Sequence, residues 1–193
     1  MRLPTEPTWA TAATALANAG GHGIWVGYSL GGRLALQIAL DRPELVERLV
    51  LVSTSAGIET DAERTERGDR DEALATSIEV DGVDVFLDRW LAQPLFERIP
   101  NDAAGIAERR AQSASTLASQ LRVLGVAAMP NLWPRLDEIT MPITVATGRH
   151  DAKFTTIGDR LAAACTRSNV SRVEFDSGHA IPLEVPDFLR RVL

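Results

Sequence analysis

Apolar positions recur along this chain in two rhythms, short β-type runs near both ends and helical periodicity between them. Residues 8–19 are rich in alanine, lack an internal Gly or Pro and stop at Gly20-Gly21, which predicts a helix. Residues 23–28 (GIWVGY) form a short apolar run that predicts a strand. Residues 31–40 (GGRLALQIAL) return to helical spacing, and Pro43 prevents their continuation. Residues 48–53 (RLVLVS) suit a buried parallel strand. From Asp61 to about Arg135 the β-type runs vanish, and amphipathic helices are predicted over 61–79, 83–92, 103–110 and 115–126. Pro94, Pro100 and Pro130 punctuate this stretch. Strand–helix alternation then resumes, with strands over 143–147 and 170–175 and helices over 155–166 and 186–193.

Such alternation predicts an α/β fold: a mostly parallel sheet flanked by helices. The helical middle then reads as an insertion, so residues 1–60 and 136–193 are expected to form the core and residues 61–135 a helical cap. In sheets of this kind ligands bind beyond the carboxyl ends of the strands.

Composition changes the picture only by exclusion. The 193 residues are 45% hydrophobic and 24% charged, ordinary for one globular domain. A net charge of −6 disfavours a general nucleic-acid or acidic-membrane surface, although a few arginines can still set a local field for an anion. With Cys165 as the only cysteine, no intrachain disulfide forms. Three histidines without HxxxH spacing make a zinc site unexpected. No apolar run approaches the roughly 18 residues of a bilayer span, and residues 1–19 lack the pattern of a signal peptide. The expected location is the cytoplasm, with no cofactor, no metal, no nucleic-acid partner and no membrane contact; oligomeric state is not legible.

The chemistry concentrates at strand ends. Gly27-Tyr28-Ser29-Leu30-Gly31 matches G-x-S-x-G between a strand and a helix. That context suits a nucleophile elbow, whose small flanking residues let the backbone fold closely on itself. The Leu30 amide at the helix start can then stabilise an oxyanion. A serine hydroxyl needs a base, and a histidine base needs a carboxylate to fix its tautomer. His179 follows the strand 170–175 and Asp151 follows the strand 143–147, in the chain order Ser, Asp, His. The rivals are His150 as base and Asp176 as acid; His22 falls at the opposite end of the sheet.

With these residues in place, the sequence resembles the α/β-hydrolase-fold family of 2-succinyl-6-hydroxy-2,4-cyclohexadiene-1-carboxylate synthases, the MenH-type enzymes of menaquinone biosynthesis. The resemblance runs from about Thr8 to the C-terminus. It is carried by GYSLGGRLAL (27–36), ERTERGDRDEALA (63–75), FLDRWLAQPLF (86–96), NLW (131–133), GRHDAKF (148–154) and SGHA (177–180). FLDRWLAQPLF and DAKF are the particular ones. The resemblance implies a lyase that eliminates pyruvate from a cyclohexene bearing several carboxylates, with Ser29, Asp151 and His179 as a proton-abstracting triad. It implies that Tyr28, Leu30, Arg33, Arg67, Trp90, Phe96 and Arg109 contact a small polycarboxylate substrate, Arg110 being the neighbour that could replace Arg109.

Read from the residues alone, arginine suits carboxylates through its planar, permanently charged fork. Arg67 and Arg109 could equally be solvated helix charges, and Trp90, Phe96 and Tyr28 core packing. The resemblance also implies that several strands and an HG-type loop precede the part of the family present here. The chain is therefore expected to be N-terminally truncated relative to that family, with the Ser29 strand left as an unpaired edge. Loss of the oxyanion donor carried by that loop would cost about 10²–10³ in rate. Two other functions fit the same residues: an α/β-hydrolase acting on an ester or carbon–carbon bond of an acidic substrate, and an inactive remnant.

Overall fold

Four apolar runs bounded by glycine and proline pair side by side in chain order. The computed structural model describes residues 8–99 and 105–193. Its strands are β1 (Gly23–Tyr28), β2 (Val46–Val52), β3 (Ile143–Gly148) and β4 (Val170–Phe175), in the order β1-β2-β3-β4. All three pairings are parallel. This is the parallel sheet that the alternation predicts.

Because side chains alternate across a strand, β2 and β3 feed two cores. Leu49, Leu51, Ile143 and Val145 point to one face, where α1 (Trp9–Gly20), α2 (Leu30–Asp41) and α7 (Ala152–Ala164) cover them. Val50, Val52 and Ala146 point to the other. There they meet Phe175, Ile181, Phe188 and Val192 from β4 and the C-terminal turns α8 (Ile181–Glu184) and α9 (Leu189–Val192). Burial on both faces explains why these strands are continuous apolar runs. Among the described residues β1 is an edge strand, and its Ile24 and Val26 are 48% and 40% exposed.

The stretch between β2 and β3 is helical, as its periodicity predicts. It holds α3 (Asp61–Asp81), α4 (Val83–Leu91), α5 (Ile106–Arg110) and α6 (Ala114–Leu124). Thr60 caps α3 by accepting from the Glu63 amide at 3.2 Å, and Gly82 stops it with φ 86°. Ala75 and Ile78 of α3 and Ala118 of α6 form a small apolar cluster separate from the sheet cores. The expected helix over 103–110 is described from Ile106 only; Ala103 and Ala104, like Pro100, lie outside the described residues.

Two features differ from the sequence reading. The helix expected over 186–193 is confined to α9 (Leu189–Val192), and a separate short turn, α8 (Ile181–Glu184) with Pro182 in its first turn, precedes it. Helix α7 starts three residues earlier than expected, since Asp151 caps it by accepting from the Phe154 amide at 3.2 Å. The NLW motif is structural: Asn131 Oδ1 accepts from the Trp133 amide and Trp133 Nε1 donates to the Gly57 carbonyl. The two contacts set a 3-10 turn over Trp133–Glu138.

Leu51, fully buried in the central strands, should lose about 2–5 kcal/mol on Leu51→Ala. Val80, 78% exposed on α3, should lose less than about 0.5 kcal/mol on Val80→Ala. Urea unfolding followed by circular dichroism reads both.

Candidate active site

The carboxyl ends of β1, β3 and β4 converge on one point. Ser29 follows β1 directly and takes φ 49°, ψ −110°, outside the regions that L-residues normally occupy. Its amide donates to the Val52 carbonyl at 2.9 Å and its carbonyl accepts from Thr54 Oγ1 at 2.7 Å, so the bend is pinned on both sides. Gly27 is what permits it: a Cβ there would lie 2.4 Å from the Gly31 carbonyl oxygen and 2.5 Å from the Gly32 Cα. The second motif glycine has a different role from the one expected. A Cβ at Gly31 would meet open space, and what matters at Gly31 is its backbone passing over Gly27.

A second close approach carries the histidine. A Cβ at Gly148, at the end of β3, would lie 2.1 Å from the Gly178 carbonyl oxygen. Only glycine lets the loop after β4 cross the end of β3, and that crossing brings His179 over Asp151. His179 Nδ1 lies 2.7 Å from Asp151 Oδ2, and His179 Nε2 lies 3.2 Å from Ser29 Oγ. A carboxylate can only accept, so Nδ1 carries the proton and Nε2 is left to accept from the serine hydroxyl. Asp151 and His179 are 7% and 3% exposed, and the second carboxylate oxygen of Asp151 takes the Phe154 amide. The arrangement is a relay poised to remove a proton at Ser29 Oγ.

The rival residues pair with one another instead. His150 Nε2 lies 2.8 Å from Asp176 Oδ1, and Arg149 holds the same carboxylate, all at the surface. Their contacts draw the Asp176 carboxyl below its ordinary range, His150 first and Arg149 second. His22 is exposed in the turn before β1, at the far end of the sheet.

Three aromatic rings surround the imidazole. Tyr28 and Phe96 stand with ring centroids 5.5 and 6.3 Å from it, and Phe154 lies closest at 4.4 Å. Trp90 reaches this group through Phe96, at 5.7 Å, with Phe86 behind it at 5.6 Å. Phe154 is the residue that sequence reasoning passes over as a contact, although it sits inside the DAKF motif and one helical turn beyond Asp151.

The cations divide into two groups. Arg33, on the first turn of α2, is largely buried with its guanidinium carbon 5.8 Å from the Trp9 ring centre, and its Nη1 has no hydrogen-bond partner. Burial, with Arg67 adding, lowers its pKa to about 10, while Asp71 opposes. It therefore remains charged at neutral pH. Arg67 Nε donates to Asp71 Oδ1 at 2.8 Å, and the other oxygen of that buried carboxylate is likewise unpartnered. Arg33, Arg67 and Asp71 thus form one electrostatic group beside the elbow. Arg109 and Arg110 separate cleanly. Arg110 is tied to Asp84 and Asp88 of α4 at 2.8 and 2.6 Å, whereas the charge of Arg109 lies near enough to Tyr28 to act on its phenol.

Comparison with known proteins identifies the family and the fold. The family model described as the alpha/beta hydrolase family matches residues 2–192. A Bacillus subtilis (strain 168) protein, provisionally named 2-succinyl-6-hydroxy-2,4-cyclohexadiene-1-carboxylate synthase, is 35% identical over 173 residues. That match takes in 87% of this chain and 63% of the relative. An Escherichia coli O1:K1 synthase of the same name is 30% identical, over 72% of this chain and 56% of its own length. The chain thus spans less than two thirds of the curated relatives it matches. Among solved structures, MenH from Staphylococcus aureus superposes with a TM-score of 0.86 at 31% identity, covering 95% of this chain and 73% of that one. An enol-lactonase from Burkholderia xenovorans LB400, at 23% identity and TM-score 0.71, shares the fold.

Tyr28 is the only tyrosine in the chain, so an alkaline titration followed by tyrosinate absorbance reads it alone. Burial raises its phenol well above the ordinary value of 10.0; Arg109 lowers it in part, and Glu184 and Asp151 raise it further. A raised folded pKa means the folded protein binds more protons than the unfolded chain above pH 10, so stability falls as pH rises there. The tyrosinate signal should therefore appear together with unfolding, in one steep transition. A smooth titration centred at 10 in folded protein would show the ring to be solvated.

Proposed function

The chain belongs to the alpha/beta hydrolase family, and from that premise we propose that it is a MenH-type carbon–oxygen lyase of menaquinone biosynthesis. The reaction is elimination of pyruvate from 2-succinyl-5-enolpyruvyl-6-hydroxy-3-cyclohexene-1-carboxylate. The observation that carries the reading is the buried, unpartnered Nη1 of Arg33 beside Arg67, next to a connected Ser29–His179–Asp151 relay. A simple ester hydrolase has no need of a buried guanidinium with an unpartnered N–H, a group that is costly to leave unsatisfied unless a ligand meets it. The similarity to the Bacillus subtilis and Escherichia coli synthases supports the same assignment.

In this mechanism Ser29 Oγ, with its own proton passed to His179 Nε2, takes a proton from a ring carbon of the substrate. The electron pair of that C–H bond moves into the ring, a C=C bond forms, and the C–O bond to the enolpyruvyl group breaks. The departing enolate receives a proton and becomes pyruvate. The steps consume no water and change no oxidation state, so no cofactor is called for. Asp151 stabilises the imidazolium, and the Leu30 amide at the start of α2 faces the oxygen on which charge gathers. Arg33, Arg67 and Arg109 hold substrate carboxylates, while Tyr28, Trp90, Phe96 and Phe154 form the apolar wall. Residues 61–135 act as a cap that supplies Arg67, Trp90, Phe96 and Arg109. No helix among the described residues is long and apolar enough to cross a membrane, and the cytoplasm is the proposed setting.

A second reading has one observation in its favour: a serine within 3.2 Å of a histidine base also suits acyl transfer. Pyruvate release and p-nitrophenyl acetate cleavage, assayed side by side, separate the two. The lyase reading expects pyruvate release with ester turnover at or near background. Ser29→Ala should lower kcat for pyruvate release by about 10³ or more. Arg33→Met should act mainly through KM, by on the order of 10²-fold, as a charge-assisted contact predicts. Fast ester turnover without pyruvate release would replace this reading with the hydrolase. Absence of both activities from folded protein would leave the inactive remnant.

A further inference from the structure

The loop that delivers His179 carries no regular structure, yet the relay needs the imidazole placed to a fraction of an ångström. Glu184, at the end of α8, supplies a grip that the relay itself does not. Its Oε2 accepts from the Gly178 amide at 2.7 Å, and its Oε1 accepts from the Ala180 amide at 3.1 Å. These are the two amides that flank His179, so one carboxylate brackets the base from both sides along the backbone. The Glu184 side chain is 7% exposed, and its charge is met by Arg98, whose Nε lies 3.4 Å from Oε2. A Cβ at Gly178 would lie 3.1 Å from Glu184 Oε1 and 3.4 Å from Arg98 Cδ, so a bare glycine lets both groups close on the loop.

We propose that Glu184 is a positioning residue that holds the His179 loop in register with Ser29 and Asp151, with Arg98 as its counter-charge. The inference rests on the reading of His179 as the base. A buried carboxylate is costly unless each oxygen has a partner, and here every partner but Arg98 is a backbone amide of the histidine loop. Arg98 comes from the segment just after the 3-10 turn Pro94–Phe96, whose Phe96 ring also faces His179. The same ion pair therefore ties an aromatic wall of the site to the loop that bears the base. Glutamine is the informative replacement. It is isosteric, but it offers one acceptor where two amides each claim an oxygen, so one N–H must face an NH₂ group.

The test uses the full chain labelled with ¹⁵N-histidine, whose three histidines are separated by assigning His179 through His179→Gln. The wild type should show a downfield, slowly exchanging Nδ1 proton on His179, as expected of a buried N–H bonded to Asp151. In Glu184→Gln the exchange of that proton should accelerate at least about tenfold in protein that remains folded by its melting curve. Arg98→Met, which leaves the backbone bonds intact, should accelerate it less, and it decides the matter if Glu184→Gln does not fold. Wild-type exchange in folded Glu184→Gln, or in Arg98→Met where the first does not fold, overturns the proposal. So does absence of the downfield proton from the wild type. Pyruvate release plays no part in this readout, so failure of the lyase reading would register separately. Where the wild type turns over, Glu184→Gln should lower kcat by about 10–100-fold with KM within about twofold, because misplacing the base leaves the arginines untouched.

Discussion

Ser29 stands at φ 49°, ψ −110°, a conformation that an L-residue keeps only where its surroundings leave no other. Strain of this kind costs about 1–3 kcal/mol, and three local contacts sustain it. The Val52 carbonyl holds the Ser29 amide, Thr54 Oγ1 holds the Ser29 carbonyl, and the bare Cα of Gly27 admits the backbone of Gly31 and Gly32. The bend turns the serine hydroxyl out of the sheet and starts α2 immediately behind it. Arg33 then falls on the first turn of that helix, and Leu30 supplies the amide at its start. Strand end, the Ser29 hydroxyl, the Leu30 amide and the Arg33 guanidinium are thus set by a single turn of backbone.

The remaining groups reach that turn by a second geometric device. Parallel strands put the ends of β3 and β4 next to one another, and Gly148 lets the histidine loop cross between them. Asp151 then performs two jobs with its two oxygens, capping α7 and accepting the hydrogen bond of the imidazole Nδ1–H. Glu184 repeats the economy on the other side of the loop. Buried charge in this molecule is therefore concentrated where it orients something: Asp151 the imidazole, Glu184 the loop, Asp71 the guanidinium of Arg67. Arg33 Nη1 and the second oxygen of Asp71 are left without a hydrogen-bond partner.

Much of this architecture is legible in the amino-acid sequence. The four strands, the helical middle and the Ser, Asp, His order all follow from apolar run length, periodicity and motif position. What is not legible there has identifiable causes. Arg109 and Arg110 are equivalent as letters; only the placement of Asp84 and Asp88 one helix away, which claims Arg110, distinguishes them. The helix expected over 186–193 shortens to Leu189–Val192, with Pro186 in the stretch before it, a boundary that periodicity over eight residues does not resolve. Gly31 reads as a packing glycine because the motif is symmetric, whereas the turn is not. Arg98 and Glu184 carry no motif at all, since their importance lies in backbone amides of a loop far from Arg98 along the chain. The similarity to MenH of Staphylococcus aureus extends over the same fold, with the chain covering 73% of that structure.

The central claim is that this relay removes a proton from carbon. The measurement that tests it most directly is single-turnover elimination with substrate deuterated at the ring carbon that loses its proton. The account predicts that the heavy substrate releases pyruvate more slowly by a clear primary isotope effect, and that the effect depends on His179. Pyruvate release at equal rates from light and heavy substrate, with an acyl or other covalent adduct accumulating on Ser29, would contradict it.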